Sequence, residues 1–290
     1  MRELKIGIYG GTFDPPHIGH IAAAKAAMET LALDRLLLVP TFIPPHKALP
    51  AGAASPAQRR DMAVLATAEL GKKAEVLDVE LRREGPSYSW ETLCMMKNQF
   101  PEDELWLLMG SDMFLTLQDW REPQRVMSMA HIGAFSRRKD GEEAVFARQK
   151  AFLEREFGAD VTIIPNPQGV ELSSTEVRQA LAQGGGADLL PPAVYGYVLR
   201  ERLYSTKKTL TGLTPDELRP IALSYLKPKR MPHVLGTEQE AIRLAAMAVT
   251  RSRRASRRCS TTAPRSWTCR SSWRCAHSMA SNWTSWSRKH

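Results

Sequence analysis

The stretch Leu4-Lys5-Ile6-Gly7-Ile8-Tyr9-Gly10-Gly11-Thr12-Phe13-Asp14-Pro15-Pro16-His17-Ile18-Gly19-His20 decides the reading of this chain. Its first part is a short apolar run rich in strand-forming residues. After the proline pair an Ala-rich stretch of helical length begins, so a strand gives way to a helix across a glycine turn. In an open parallel sheet, ligands gather at the carboxyl ends of strands, where the next helix offers N–H groups that have no partner within it. Gly10 and Gly11 remove side chains where a ligand would approach the backbone most closely. His17 and His20, three positions apart at the helix start, project from one face and can donate to the same phosphoryl oxygens.

Outward from this junction the same alternation continues to Leu203. Strands are predicted at Leu4–Tyr9, Arg35–Val39, Ala74–Leu77, Leu105–Met109, His131–Phe135 and Val161–Ile164. Helices are predicted at His17–Leu33, Ser55–Leu70, Ser89–Gln99, Glu142–Phe157 and Ser174–Ala182, with a short closing helix from Pro191-Pro192 toward Leu203. The pattern is that of βαβ units, hence an α/β fold with a doubly wound parallel sheet. The expected organisation is a domain over residues 1–204, a polar linker at 205–214, a short helical segment at 215–250 with helices at Pro215–Leu226 and Glu238–Ala248, and a basic tail at 251–290.

The chain has 290 residues and a net charge of +9, but ten Lys or Arg and no acid lie between Arg251 and His290, so everything before carries −1. The basic excess is a property of the tail. That tail also contains no Ile, Leu or Val, holds Trp267, Trp273, Trp283 and Trp286, and carries three of the four cysteines. It cannot build an aliphatic core and is expected to be disordered or only locally helical. Cys94 alone in the body makes no disulfide framework. The amino terminus lacks the apolar core of a secretory signal and no long apolar run occurs, so a cytoplasmic protein with no membrane partner is expected.

Two imidazoles beside a helix N-terminus suit nucleotidyl transfer. That reaction asks the protein to hold two nucleotides in line and to neutralise charge developing at the α-phosphorus, with little covalent chemistry of its own. Three-residue spacing would also suit metal ligands, but no acidic or cysteine partner follows nearby, so no metal site is expected. Taken singly, such histidines are more often surface or capping residues. Leu172-Ser173-Ser174-Thr175-Glu176-Val177-Arg178 reads first as a well-capped helix entrance, and Met109-Gly110-Ser111-Asp112 as a strand end with a helix cap.

The first string closely resembles the signature of the H-x-G-H nucleotidyltransferases, and within them that of the bacterial nicotinate-nucleotide adenylyltransferases. Relatives that adenylylate phosphopantetheine carry Thr where this chain has His17. The resemblance runs from Lys5 to about Tyr204 and implies a Rossmann-like fold, ATP as donor with Mg²⁺, and nicotinate mononucleotide as acceptor, with nicotinamide mononucleotide or another phosphate acceptor as the alternative. It implies that His17 and His20 are catalytic and that Gly10, Gly11, Thr12, Phe13 and Gly19 surround ATP. The segment at 172–178 resembles the family's I-S-S-T-x-x-R, which implies ATP phosphates on Ser173, Ser174, Thr175 and Arg178. Gly110 and Asp112 match its G-x-D, where the aspartate meets the ATP sugar. For the acceptor, the resemblance implies Pro45, His46 and Lys47 of Pro44-Pro45-His46-Lys47, together with Ser89, Trp120 and Arg137. The family would show Thr, a small apolar residue and Asp where this chain has Ser89, Trp90 and Glu91; Trp90 is the larger departure. The sequence leaves a homo-oligomer open.

Pro232-His233-Val234-Leu235-Gly236-Thr237-Glu238 resembles the opening of an HD-type phosphohydrolase domain, with His233 at its first metal ligand. The His-Asp pair that would supply the next two ligands occurs nowhere in the chain, so phosphohydrolase activity is not expected. The tail reads as that domain in a displaced frame. The single codon of each Trp then completes a Leu codon, and the segment from Cys259 can encode Leu-Leu-His-Asp-Cys-Thr-Lys, with the shift near Ala246–Val249. The rival reading takes the interleaved Arg and Trp as a nucleic-acid surface. It ranks lower because a frame error explains the missing Ile, Leu, Val, Asp and Glu together, and no nucleic-acid partner is expected.

Overall fold

A computed structural model describes residues 2–45, 48–83, 85–136, 142–165, 172–206 and 214–262. Its centre is a six-stranded, all-parallel sheet in the order β3-β2-β1-β4-β5-β6. The strands are β1 (Lys5–Gly11), β2 (Arg35–Pro40), β3 (Ala74–Val76), β4 (Glu104–Gly110), β5 (His131–Ser136) and β6 (Val161–Pro165). Each expected strand is present, within a residue or two at its ends. The chain winds from β1 outward through β2 to β3, then returns to β4 and proceeds outward on the other side to β6. The connections leaving β1 and β4 therefore diverge, opening a crevice at the carboxyl ends of these two neighbours.

Alternation along the strands gives the sheet two buried faces. Ile6, Ile8, Leu37, Val39, Leu105, Leu107 and Met109 belong to one cluster with residues of α3 (Ser89–Gln99), α5 (Pro123–Met129) and α6 (Glu142–Phe157), including Met96, Val126, Phe146 and Leu153. Gly7 lies on the other face. A Cβ there would come within 2.5 Å of the Leu33 Cδ1, just after α1 (Ile18–Thr30), so a larger side chain would force that leucine to repack.

Helix entrances follow the sequence closely. Ser55 and Gln58 form a capping box at α2 (Pro56–Ala66), with proline in the first turn where its missing N–H costs nothing. Ser173 and Glu176 do the same at α7 (Ser174–Ala182). Two short helices, α4 (Ser111–Leu115) and α5, are absent from the expected set because neither is long enough to display a periodic apolar face.

The buried helix α8 (Pro192–Glu201) closes the transferase-like region, and α9 (Pro215–Ser224) packs directly on it. Arg200 holds this junction. Its guanidinium donates to the Ser224 carbonyl (3.3 Å) and hydroxyl (3.2 Å), and lies 4.7 and 4.4 Å from the rings of Tyr197 and Tyr225. The chain divides into compact units at Met1–Pro232 and His233–His290, so α9 belongs with the first. Helix α10 (Met231–Thr262) starts earlier and ends later than the expected Glu238–Ala248, because Pro232 sits in its first turn, where proline is tolerated. Within it Ile242, Leu244 and Met247 are exposed. Residues 263–290, where the four tail tryptophans lie, fall outside the described residues.

Gly196 is the contact point of α8 with α9: a Cβ there would lie 1.9 Å from the Pro220 carbonyl oxygen. Gly196→Ala should therefore displace α9 and cost about 1–3 kcal/mol. Urea unfolding measures this, and a variant as stable as the parent contradicts the close approach.

Candidate active site

The crevice at the β1 and β4 ends holds a cavity of about 270 Å³. One wall is Gly10 and Gly11, the last residues of β1, with Thr12 after them, and another is the end of β4 through Gly110. The loop after β2 contributes Thr41 and Pro45, the segment entering α3 contributes Ser87 and Ser89, and Trp120 and Arg121 complete the lining. Residues from these five chain segments thus meet at one sheet end.

His17 caps α1 and is buried, while His20 is partly buried; their ring centroids are 3.7 Å apart. The imidazoles do not themselves line the cavity, but His20 packs against Phe13 and Tyr9, which flank its Gly10–Thr12 wall. The His17 backbone N–H donates to His20 Nδ1 at 3.2 Å. A neutral ring accepting at Nδ1 carries its proton on Nε2, so the tautomer follows from this bond. Burial holds His17 down to about 4, and burial together with the nearby His17 holds His20 well below its ordinary value. Both rings are accordingly held neutral at pH 7, not cationic.

The second motif meets the first here. Arg178 on α7 donates to the Asp14 carbonyl at 2.6 Å and to Thr175 Oγ1 at 3.1 Å, while Ser174 Oγ donates to the Pro15 carbonyl at 3.3 Å. Two segments about 160 positions apart are joined by these bonds. Asp14 itself is 2% exposed. Its Oδ1 accepts from the Ala54 N–H (3.0 Å) and the Tyr204 hydroxyl (2.7 Å), and its Oδ2 stands 3.6 Å from Arg178 Nη1. Burial beside that carboxylate raises the Tyr204 phenol far above its ordinary range.

Residues 8–180 match the cytidylyltransferase-like family. The chain belongs to this family. Within it, the chain is 39% identical over 221 residues to a probable nicotinate-nucleotide adenylyltransferase of Shewanella baltica, covering 69% of this chain and 99% of the relative. A relative of the same description from Neisseria meningitidis is 38% identical over 201 residues, covering 69% of this chain and 98% of its own. Plasmodium falciparum nicotinic acid mononucleotide adenylyltransferase, solved in complexes with APC and with NaAD, superposes with a TM-score of 0.57 over 71% of this chain and 99% of that one. At 16% and 17% identity, that likeness shows the cytidylyltransferase-like fold alone.

Of the residues marked in the sequence, Gly10, Gly11, Thr12, Pro45, Ser89, Gly110 and Trp120 line the cavity. Phe13 is buried with φ 49°, Gly19 is buried in α1, and Asp112 is exposed in the first turn of α4. Ser173, Ser174, Thr175 and Arg178 gather at the start of α7, against the Asp14–Pro15 backbone. His46, Lys47 and Arg137 lie outside the described residues. Trp90 is not part of the lining; its ring lies beneath the Arg125 guanidinium at 4.7 Å. Sequence reasoning missed Asp14, Glu80, Arg59 and Tyr204. Glu80 is 6% exposed, lines the cavity and accepts from Thr92 Oγ1 at 2.8 Å. Burial pushes its pKa up, opposed by the Thr92 bond and by Arg83.

The neutral His17 has a consequence for acid stability. The unfolded chain takes up a proton on this residue near pH 6.5 and the folded one only near 4. Stability therefore falls as pH drops through this window, by an amount approaching about 3 kcal/mol. His17→Asn should lose less stability than the parent between pH 7 and pH 4, as read by denaturant unfolding at each pH; equal losses contradict the burial argument.

Proposed function

We propose that residues 1–204 transfer the adenylyl group of ATP to nicotinate mononucleotide, forming nicotinate adenine dinucleotide and releasing pyrophosphate. The observation that carries this reading is the joining of the Asp14–Pro15 turn, which leads into the His17–His20 helix start, to the Arg178 turn of α7. The family and the relatives' common description support the choice of donor and acceptor.

In this reading, a phosphate oxygen of the acceptor attacks the α-phosphorus of ATP. The new O–P bond forms in line with the breaking bond to the β-phosphate, and pyrophosphate leaves with the electron pair. His20 through its Nε2–H, and His17 beside it, donate to the α-phosphoryl oxygens as negative charge builds on them. The backbone of Gly10, Gly11, Thr12, Phe13 and Gly19 admits the triphosphate without steric obstruction. Ser173, Ser174, Thr175 and Arg178 hold the departing phosphates, and Gly110 with Asp112 receives the ATP sugar. On the acceptor side, Pro45, His46, Lys47 and Arg137 meet the mononucleotide phosphate and its loop, Ser89 offers its backbone to the pyridine carboxylate, and Trp120 stacks on the ring. Among the described residues no cluster of three or more His, Cys, Asp or Glu is placed to hold a metal ion. Mg²⁺ enters in this reading as part of the substrate, bound to the triphosphate.

One observation favours nicotinamide mononucleotide as a second reading. Glu80 lines the cavity, and an ionised carboxylate there would repel the carboxylate substituent of the nicotinate ring but not the uncharged amide of nicotinamide. Steady-state assay with ATP and each acceptor decides between them; failure with nicotinate mononucleotide would falsify the first. His20→Ala should lower kcat by roughly 10²–10³-fold, with smaller effects on KM, because it removes a donor aimed at transition-state charge.

For the remainder of the chain we propose that 205–214 is a linker, that 215–250 is the start of an HD-type domain whose first helix, α9, packs on α8, and that the tail is its displaced reading frame. No helix among the described residues is long and apolar enough to cross a membrane. Deleting residues 251–290 should leave kcat and both KM values unchanged. A loss of nucleic-acid binding on that deletion would instead support the rival role of the tail, and resequencing the gene tests the frame directly.

A further inference from the structure

Arg59 is 0% exposed, the largest side chain so fully enclosed among the described residues, and it comes from the first turn of α2. It makes no use of that burial to form a short ion pair. Instead Nη1 donates to the carbonyls of Thr12 (2.9 Å) and Thr41 (2.5 Å), and Nη2 to that of Phe42 (3.0 Å). Thr12 belongs to the loop after β1 and Thr41 and Phe42 to the loop after β2; Thr12 and Thr41 both line the cavity. One rigid planar cation thus bridges the two loops from beneath.

Burying a guanidinium costs several kcal/mol unless its charge and its donors are satisfied. A side chain needed only to fill space would be apolar. Burial pushes the Arg59 pKa down and the nearby Asp14 carboxylate opposes this, so the charge is compensated by the same residue that stands beside Arg178. The fork geometry matters more than the charge. Each accepting carbonyl fixes its peptide plane, and in a trans peptide the N–H of the next residue points the opposite way. The N–H that shares a plane with the Thr41 carbonyl is that of Phe42, and it donates to Ser87 Oγ at 3.1 Å, on the segment that enters α3. Arg59 thereby orients the acceptor loop on one side and the glycine loop on the other.

We propose that Arg59 is a positioning residue that sets the separation between the nucleotide loop and the acceptor loop, and through it the alignment of the two substrates, while touching neither. The inference rests on the reading of this cavity as the place where the two substrates meet. In-line displacement tolerates little error, and a misplacement of about 1 Å can cost on the order of 10²-fold in rate.

The test uses the full chain with Arg59→Met, Arg59→Lys and, as a control for lost stability alone, Leu153→Ala, a core cavity on α6. In Arg59→Met, kcat should fall at least tenfold while the Kd of ATP and of the acceptor, each measured alone, changes less than threefold. Arg59→Lys, with donors but no fork, should fall between it and the parent, and carries the test if Arg59→Met does not fold. Leu153→Ala should keep the parental kcat below its melting range. Hydrogen exchange supplies a readout independent of turnover: amides at 12–13 and at 41–43 should lose protection together in both Arg59 variants, with β4 and β5 unchanged. An unchanged kcat, a loss matched by Leu153→Ala, or faster exchange in only one loop would overturn the proposal. A parent inactive with both acceptors would instead sink the functional reading, and the exchange result would still decide whether Arg59 couples the loops.

Discussion

The arrangement of this site depends on a carboxylate that has been taken out of water. Asp14 sits in the turn between the first strand and the first helix, and groups from three other parts of the chain face its carboxylate: Oδ1 accepts from the Ala54 backbone and the Tyr204 hydroxyl, and the Arg178 guanidinium stands 3.6 Å from Oδ2. A buried carboxylate without partners would cost several kcal/mol, so each of those segments is constrained to arrive at one place. The glycine turn, the entrance to α2, the end of α8 and the start of α7 are registered against each other by that requirement. Pro15 and Ser174 add a second tie between the same turn and α7.

Charge near the cavity is distributed with the same economy. The cations that face Asp14 are arginines, whose planar forks satisfy several acceptors at once, whereas the two histidines at the helix start remain neutral through burial. Neutral imidazoles can stand 3.7 Å apart without repulsion. Glu80 shows the converse: an acid enclosed beside hydroxyls, whose ionisation is opposed by burial.

Fold and site were legible in the sequence to different depths. The six strands and the long helices follow from apolar runs and capping residues, because these elements obtain their stability from faces that repeat every two or 3.6 residues. The glycine turn, the two histidines and the Ser173–Arg178 entrance were visible because they stand at strand-to-helix junctions, where phosphate-binding groups must lie. Arg59 left no such mark. It occurs in Gln58-Arg59-Arg60-Asp61, which reads as a solvated helix face, and only the closing of two loops over it makes it the most deeply enclosed cation. Helix α9 reads like the start of a separate segment, yet it packs on α8 through Gly196, a contact invisible in either helix alone.

What the sequence determined by itself was therefore local and periodic: the order of strands and helices, where each helix begins, and which junctions offer N–H groups to phosphate. What the tertiary structure decided was pairwise and distant: that Asp14 faces Arg178 and Tyr204, that Arg59 bridges the loops after β1 and β2, and that both histidines are uncharged. The physical reason is one of range. Backbone hydrogen bonding and side-chain periodicity act over a few residues, whereas the energy of a buried charge depends on every group that surrounds it, wherever in the chain that group originates.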